Sequence, residues 1–265
     1  MYQELYSHIA KACCAITVIE DDEVVSDGTG FTINADGQIL TAAHVVMGEW
    51  PVDKKRYAGR NTKIIAKLPG IPEFECELAI CGLEIRVSAF SNSVWVDFAA
   101  LTPLNALPVP VPFLKSRILS PGLGEEVFLA GYSEELEIPF GVDKLLRNDV
   151  SGADDFYRAM SRGYLADMTG PLIKRGVIGN SRGINAHDSK SGTTISCEVI
   201  FVDNGMNPGA SGGPVVNREG EAIGIMTKRA ITSAAQGADP NLAIPSGCTI
   251  AISLHPLLAT NRGVS

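Results

Sequence analysis

The sequence predicts an all-β chain made of two successive β units, and three observations predict it. Short apolar runs of strand length recur along the chain with turn residues between them. A proline-rich stretch, LTPLNALPVPVPFLKS, divides these runs into two groups near residues 102–117. Proline cannot donate to a ladder, so such a stretch reads as a linker or an edge strand. Helical spacing is confined to a few places. A chain of 265 residues suffices for one large or two small domains, and 45% hydrophobic with 20% charged residues is the composition of a chain that buries a core.

The elements follow in order. Residues 3–12 have helical spacing, with Leu5, Ile9 and Ala12 on one face. The next run, CCAITVI, is short and ends in the acidic Glu20-Asp21-Asp22-Glu23, while Glu4 and Lys11 interrupt what precedes it. This is neither a signal peptide nor a membrane span, and no other stretch is long and apolar enough to cross a bilayer. A cytoplasmic placement away from membranes is therefore expected. GTGFTINADGQILTAAHVV reads as two strands around Ala35-Asp36-Gly37, since Asp-Gly is a hairpin signal. FECELAICGLEIRVSAF alternates as strands do. Beyond the proline-rich stretch, EEVFLAGY, TISCEVIFVD, PVVN and EAIGIMT repeat the style, with a hairpin at Arg218-Glu219-Gly220. SGADDFYRAM has a helix start, with Ser151 three residues before Asp154 and acids in the first turn. The last apolar stretch, IPSGCTIAISLHPLLA, reads as a C-terminal helix opened by Ser246, although its β-branched residues disfavour one. The two units are placed at 1–110 and 111–265.

Charge and cysteine usage exclude some functions. The net charge is -8, whereas a nucleic-acid binder carries a basic face, so nucleic acid is not an expected partner. The six cysteines, Cys13, Cys14, Cys76, Cys81, Cys197 and Cys248, include no CxxC pair. Buried thiols are expected rather than a zinc site.

Three stretches carry chemistry: TAAHVV with His44, SVWVDFAAL with Asp97, and NPGASGGPVVN with Ser211. Taken singly, each has a structural explanation: a satisfied core histidine, a capping carboxylate, a turn serine. Taken together they supply what a hydroxyl nucleophile needs. A base must lie within reach of the hydroxyl, and a buried carboxylate must fix the tautomer of that base. The chain order His, Asp, Ser is that of one of the three known arrangements of such a triad. Gly209, Gly212 and Gly213 are more than a simple reversal of the chain requires.

GTGFTINADGQILTAAHVV, WVDFAAL and NPGASGGPVVNREGEAIGI closely resemble trypsin-like serine peptidases of the chymotrypsin fold, in particular the HtrA (Deg) branch, and NLAIPS at 241–246 resembles the segment that follows there. The resemblance implies two six-stranded antiparallel β-barrels with a cleft between them. It further implies His44, Asp97 and Ser211 as the catalytic residues and the backbone N–H groups of Gly209 and Ser211 as an oxyanion hole. Met226, Thr227 and Lys228 would pair with substrate, and Leu242, Ala243 and Ile244 would line its pocket. No metal or organic cofactor is implied. The expected partners are a protein or peptide substrate and an activating protein. Three departures bear on this. Ala210 stands where digestive members carry an aspartate, so activation by clipping the N-terminus is not expected. HtrA proteins usually carry a PDZ domain after the protease; with Ser265 as the last residue of the sequence, regulation through one in cis is not expected. Residues from about 133 to 171 read as an insertion, either a solvated surface loop with one helix or a lid or partner-binding flap that gates the cleft. Counting back from Ser211 places Gly205 and Asp203 near the pocket floor; preference for small or medium apolar residues is expected, and Asp203 at the floor would instead give Arg or Lys preference. A bacterial serine endopeptidase, in stress response or quality control, is the leading expectation. A binding module or chaperone resting with an inactive oxyanion loop, and an esterase using the same residues, are the alternatives.

Overall fold

A computed structural model describes residues 2–48, 61–85, 94–133, 165–187, 194–233, 243–255 and 257. The chain is mostly β, in two barrels. The first closes in the order β1-β2-β3-β6-β5-β4. Its strands are β1 (Cys13–Glu20), β2 (Glu23–Thr32), β3 (Ile39–Thr41), β4 (Thr62–Lys67), β5 (Phe74–Ile85) and β6 (Val94–Pro103). The expected hairpin at Ala35-Asp36-Gly37 joins β2 to β3, with Thr32 opposite Ile39.

The second barrel contains β8 (Glu126–Gly131), β9 (Leu172–His187), β10 (Thr194–Val202), β11 (Pro214–Val216), β12 (Glu221–Ser233) and β13 (Ala243–Ser253). They run in the order β11-β8-β9-β10-β13-β12, and the β11–β12 pairing closes the ring. The short β7 (Lys115–Ser116) adds a parallel pair along β12. The proline-rich stretch runs from the end of β6 to β7, and Pro108, Pro110 and Pro112 lie outside any strand.

Strand alternation connects the two cores. Along β8, Val127 and Leu129 point into the second barrel with Ile200, Val202 and Ile223. Phe128 and Ala130 point the other way, into the cluster that includes Ile16, Phe31, Leu40 and Phe98 of the first. Helix α1 (Gln3–Ala12) covers this outer face and buries Ile9 and Ala12. Tyr2 and Tyr6 meet the Phe128 ring edge-on, at 5.1 and 5.6 Å between centroids. The Tyr2 hydroxyl donates to Glu126 Oε2 at 2.7 Å, and Arg218 and Arg175 pair with the same carboxylate. The N-terminal helix thus staples the start of β8 by apolar contact and by charge.

The sequence reading differs from the structure at the C-terminus. The helix expected to open at Ser246 is strand β13 as far as Ser253, and past it Leu257 is helical. Thr249, Ile250 and Ile252 are β-branched, and they pair with Val202, Phe201 and Ile225. Tertiary pairing overrides the local cap signal here. The helix expected from Ser151 lies outside the described residues, as does most of the insertion. Its last part is α3 (Leu165–Met168), from which Asp167 pairs with Lys67 of the first barrel at 2.7 Å.

All six cysteines are free, and Cys13, Cys14, Cys76 and Cys197 are buried. Burial pushes the thiols of Cys76 and Cys197 up to about 12 and about 11. No helix among the described residues is long and apolar enough to cross a membrane.

Candidate active site

His44 sits on α2 (Ala43–Met47), the helical turn that begins just after β3. Asp97 lies on β6, the neighbour of β3, where Thr41 faces Ala99. That register carries Asp97 just past the end of β3, where α2 begins. Val96 and Phe98 on either side of it are buried. The carboxylate grips the histidine twice: Oδ1 accepts the His44 backbone N–H at 3.0 Å, and Oδ2 lies 2.7 Å from ring Nδ1. A carboxylate only accepts, so Nδ1 carries a proton, and in the neutral ring Nε2 then keeps its lone pair. The Asp97 side chain is 14% exposed and the His44 side chain 28%, so the anion is shielded while the ring stays reachable.

Ser211 comes from the second barrel, on the loop between β10 and β11. This loop is tied internally: Ala210 N–H donates to Asn207 C=O at 3.3 Å and Gly213 N–H to Ala210 C=O at 3.1 Å. It is tied to β12 as well, with Gly212 N–H donating to Met226 C=O at 2.7 Å and Met226 N–H to Gly213 C=O at 2.8 Å. Among the described residues no acceptor faces the N–H of Gly209 or of Ser211. Two of the glycines are explained by geometry. Gly209 has φ +86°, and so has Gly212, where a Cβ would lie 2.1 Å from the Thr29 carbonyl oxygen. The Ser211 hydroxyl makes one long bond, 3.4 Å to the Thr227 carbonyl.

His44 and Ser211 line one open cleft of about 280 Å³. The expected Met226, Thr227 and Lys228 line it too, and among the described residues no strand pairs with that edge of β12 beyond Ile225. Leu242 lies outside the described residues. Ala243 and Ile244 face Ser233 and Thr232, at the far end of the β12–β13 hairpin from Met226. The β13 residue that does line the cleft is Thr249, joined by Met206, Asn207 and Pro208. Thr249 lies in the stretch whose apparent cap at Ser246 suggests a helix, and the β-branched residues there are the signal that points to the strand. Asp203 is absent from the lining: its carboxylate accepts the Val177 N–H at 2.7 Å. Among the described residues no cluster of three or more His, Cys, Asp or Glu could hold a metal ion.

Residues 28–225 match the family model of a trypsin-like peptidase domain. No curated protein matches the chain. Two solved structures are similar over 98% of it. One is a serine endoprotease from Yersinia pestis, at 18% identity and a TM-score of 0.53, of which this chain spans 64%. The other is a protease from M. tuberculosis in its active form, at 17% identity and a TM-score of 0.55, with 84% of that chain covered. At such identities the likeness speaks to the fold.

Proposed function

The chain belongs to the trypsin-like peptidase domain family, and from that premise we propose that it is a serine endopeptidase with Ser211 as nucleophile, His44 as general base and Asp97 as the residue that orients His44. The observation that carries this reading is the double hold of Asp97 on His44 in the same cleft as Ser211.

The chemistry follows from the tautomer. With Nδ1–H committed to Asp97, Nε2 takes the Ser211 proton as Oγ attacks the substrate carbonyl carbon. The carbonyl π pair moves onto oxygen, and the N–H groups of Gly209 and Ser211 receive that charge. Each such donor is worth about 100- to 1,000-fold in rate. The imidazolium, stabilised by Asp97, then protonates the leaving amine as the C–N bond breaks. Water repeats the sequence on the acyl-enzyme, and no cofactor takes part.

Substrate choice follows from the cleft. Met206 and Met226 supply apolar surface. The hydroxyls of Thr227 and Thr249 donate to the carbonyls of Ile250 and Asn204 at 3.2 and 2.8 Å, so the pocket has no side-chain donor to spare from them. Small or medium apolar residues before the cleaved bond are the preference this supports. Digestion of a peptide library is expected to give products ending in such residues, with none from Ser211→Ala. Dominant cleavage after Arg or Lys would contradict it.

One observation favours a second reading, a binding module on the same fold. The Ser211 hydroxyl leans on Thr227 rather than on His44. A bond of 3.4 Å is weak, and turning a hydroxyl from one acceptor to another is a small step, so the enzyme reading stands first.

A further inference from the structure

We infer that Thr29, a residue of the first barrel, is a positioning residue for the oxyanion loop of the second. This rests on the serine-endopeptidase reading above. Thr29 is fully buried. Its hydroxyl donates to the Gly209 carbonyl at 2.7 Å, across 180 residues of sequence, and accepts the Tyr132 N–H at 2.9 Å. Its own N–H donates to the Ser211 carbonyl at 2.8 Å. Its carbonyl accepts the Thr41 hydroxyl at 2.7 Å, which fixes it to its own barrel.

One residue therefore holds the carbonyls on both sides of the Ala210–Ser211 peptide. A peptide unit is planar and trans, so holding its C=O sets the direction of its N–H. The Ala210 carbonyl is taken by Gly213, which aims the Ser211 N–H. The remaining freedom is at Gly209, whose φ of +86° glycine can exchange for a negative value at little cost. The Thr29 hydroxyl limits that freedom from the C-terminal side: it fixes the Gly209–Ala210 peptide, whose N–H donates to Asn207, so the Gly209 N–H hangs from an anchored Cα. The other buried threonine beside it, Thr41, spends its hydroxyl inside its own barrel. Thr29 reaches across the interface to the loop that carries the Gly209 and Ser211 amides.

The test is a graded series at one position, read in steady-state peptide hydrolysis with melting temperature as the fold control. Thr29→Ser keeps the hydroxyl, Thr29→Cys offers a weaker donor, and Thr29→Val keeps the shape but leaves the Gly209 carbonyl and the Tyr132 N–H without a partner. A misaligned oxyanion donor acts on the transition state, so kcat should fall while KM holds. Expected are a kcat within about threefold of wild type for serine, about tenfold or more below it for valine, cysteine between them, and KM constant to about twofold. If valine does not fold, the serine-to-cysteine step carries the comparison. Equal kcat across the folded variants, or a serine variant as slow as valine, overturns the inference. A wild-type chain that neither hydrolyses peptides nor reacts at Ser211 overturns the enzyme reading instead, so the two failures are distinct.

Discussion

The two halves of the cleft are built differently. The His44–Asp97 half is complete within the first barrel: register places the carboxylate, and two hydrogen bonds of 3.0 and 2.7 Å lock the imidazole. The Ser211 half is an irregular loop whose backbone is held by turns, by β12 and by Thr29, while its hydroxyl is held weakly and two of its amides have no acceptor among the described residues. The proposed acid–base pair is held in place by those two bonds. The proposed nucleophile and anion-binding donors keep capacity that is unused among the described residues and that a substrate carbonyl would fill. Their scaffold, not their own bonding, fixes them.

Breaking the preorganised half should have the largest effect. Asp97→Asn keeps the shape but presents an amide that can donate to Nδ1, which favours the wrong tautomer. The expected loss in kcat is about 10⁴-fold, measured on any peptide the wild type cleaves. A loss below about tenfold would mean that the double grip on His44 has no part in catalysis.

A smaller effect should come from the staple behind the nucleophile half. Strand β8 starts at Glu126 and ends at Gly131, where a Cβ would lie 2.7 Å from Ala210. The Tyr2 hydroxyl bond, against some desolvation and aided by Arg175 and Arg218, holds the Glu126 carboxyl below its usual 4.5. A carboxyl lowered on folding contributes stability above its unfolded value, and that contribution is lost as pH falls through the folded one. Glu126→Gln should therefore melt below wild type near pH 7, and the gap should close as pH drops well under about 4.5. A gap that stays constant down to about pH 3 would show that shape alone holds the staple.

Legibility in the sequence follows the same division. His44, Asp97 and Ser211 could be picked out because each sits in an apolar or glycine-rich context that makes its residue type conspicuous, and the hairpins at Asp36-Gly37 and Glu219-Gly220 carry their own turn chemistry. Helix α1 was legible because its apolar spacing is local. Strand β13 was not: Ser246 imitates a cap, and the partners that make the stretch a strand, Phe201, Val202 and Ile225, are remote in sequence. Thr249 in the cleft wall was hidden with it. Thr29, inside GTGFT, carries no local signal, since its partner is Gly209 in the other barrel. What a short segment signals by itself could be read, and what depends on contact between remote segments could not.

The most direct test of the account is whether Ser211 reacts. The folded chain is treated with a fluorophosphonate probe and weighed intact, beside Ser211→Ala. The account predicts one added probe on the wild type and none on the variant, because attack needs the Nε2 base and the N–H groups of Gly209 and Ser211 together. A folded wild type that stays unlabelled, or a variant that labels equally, would contradict it.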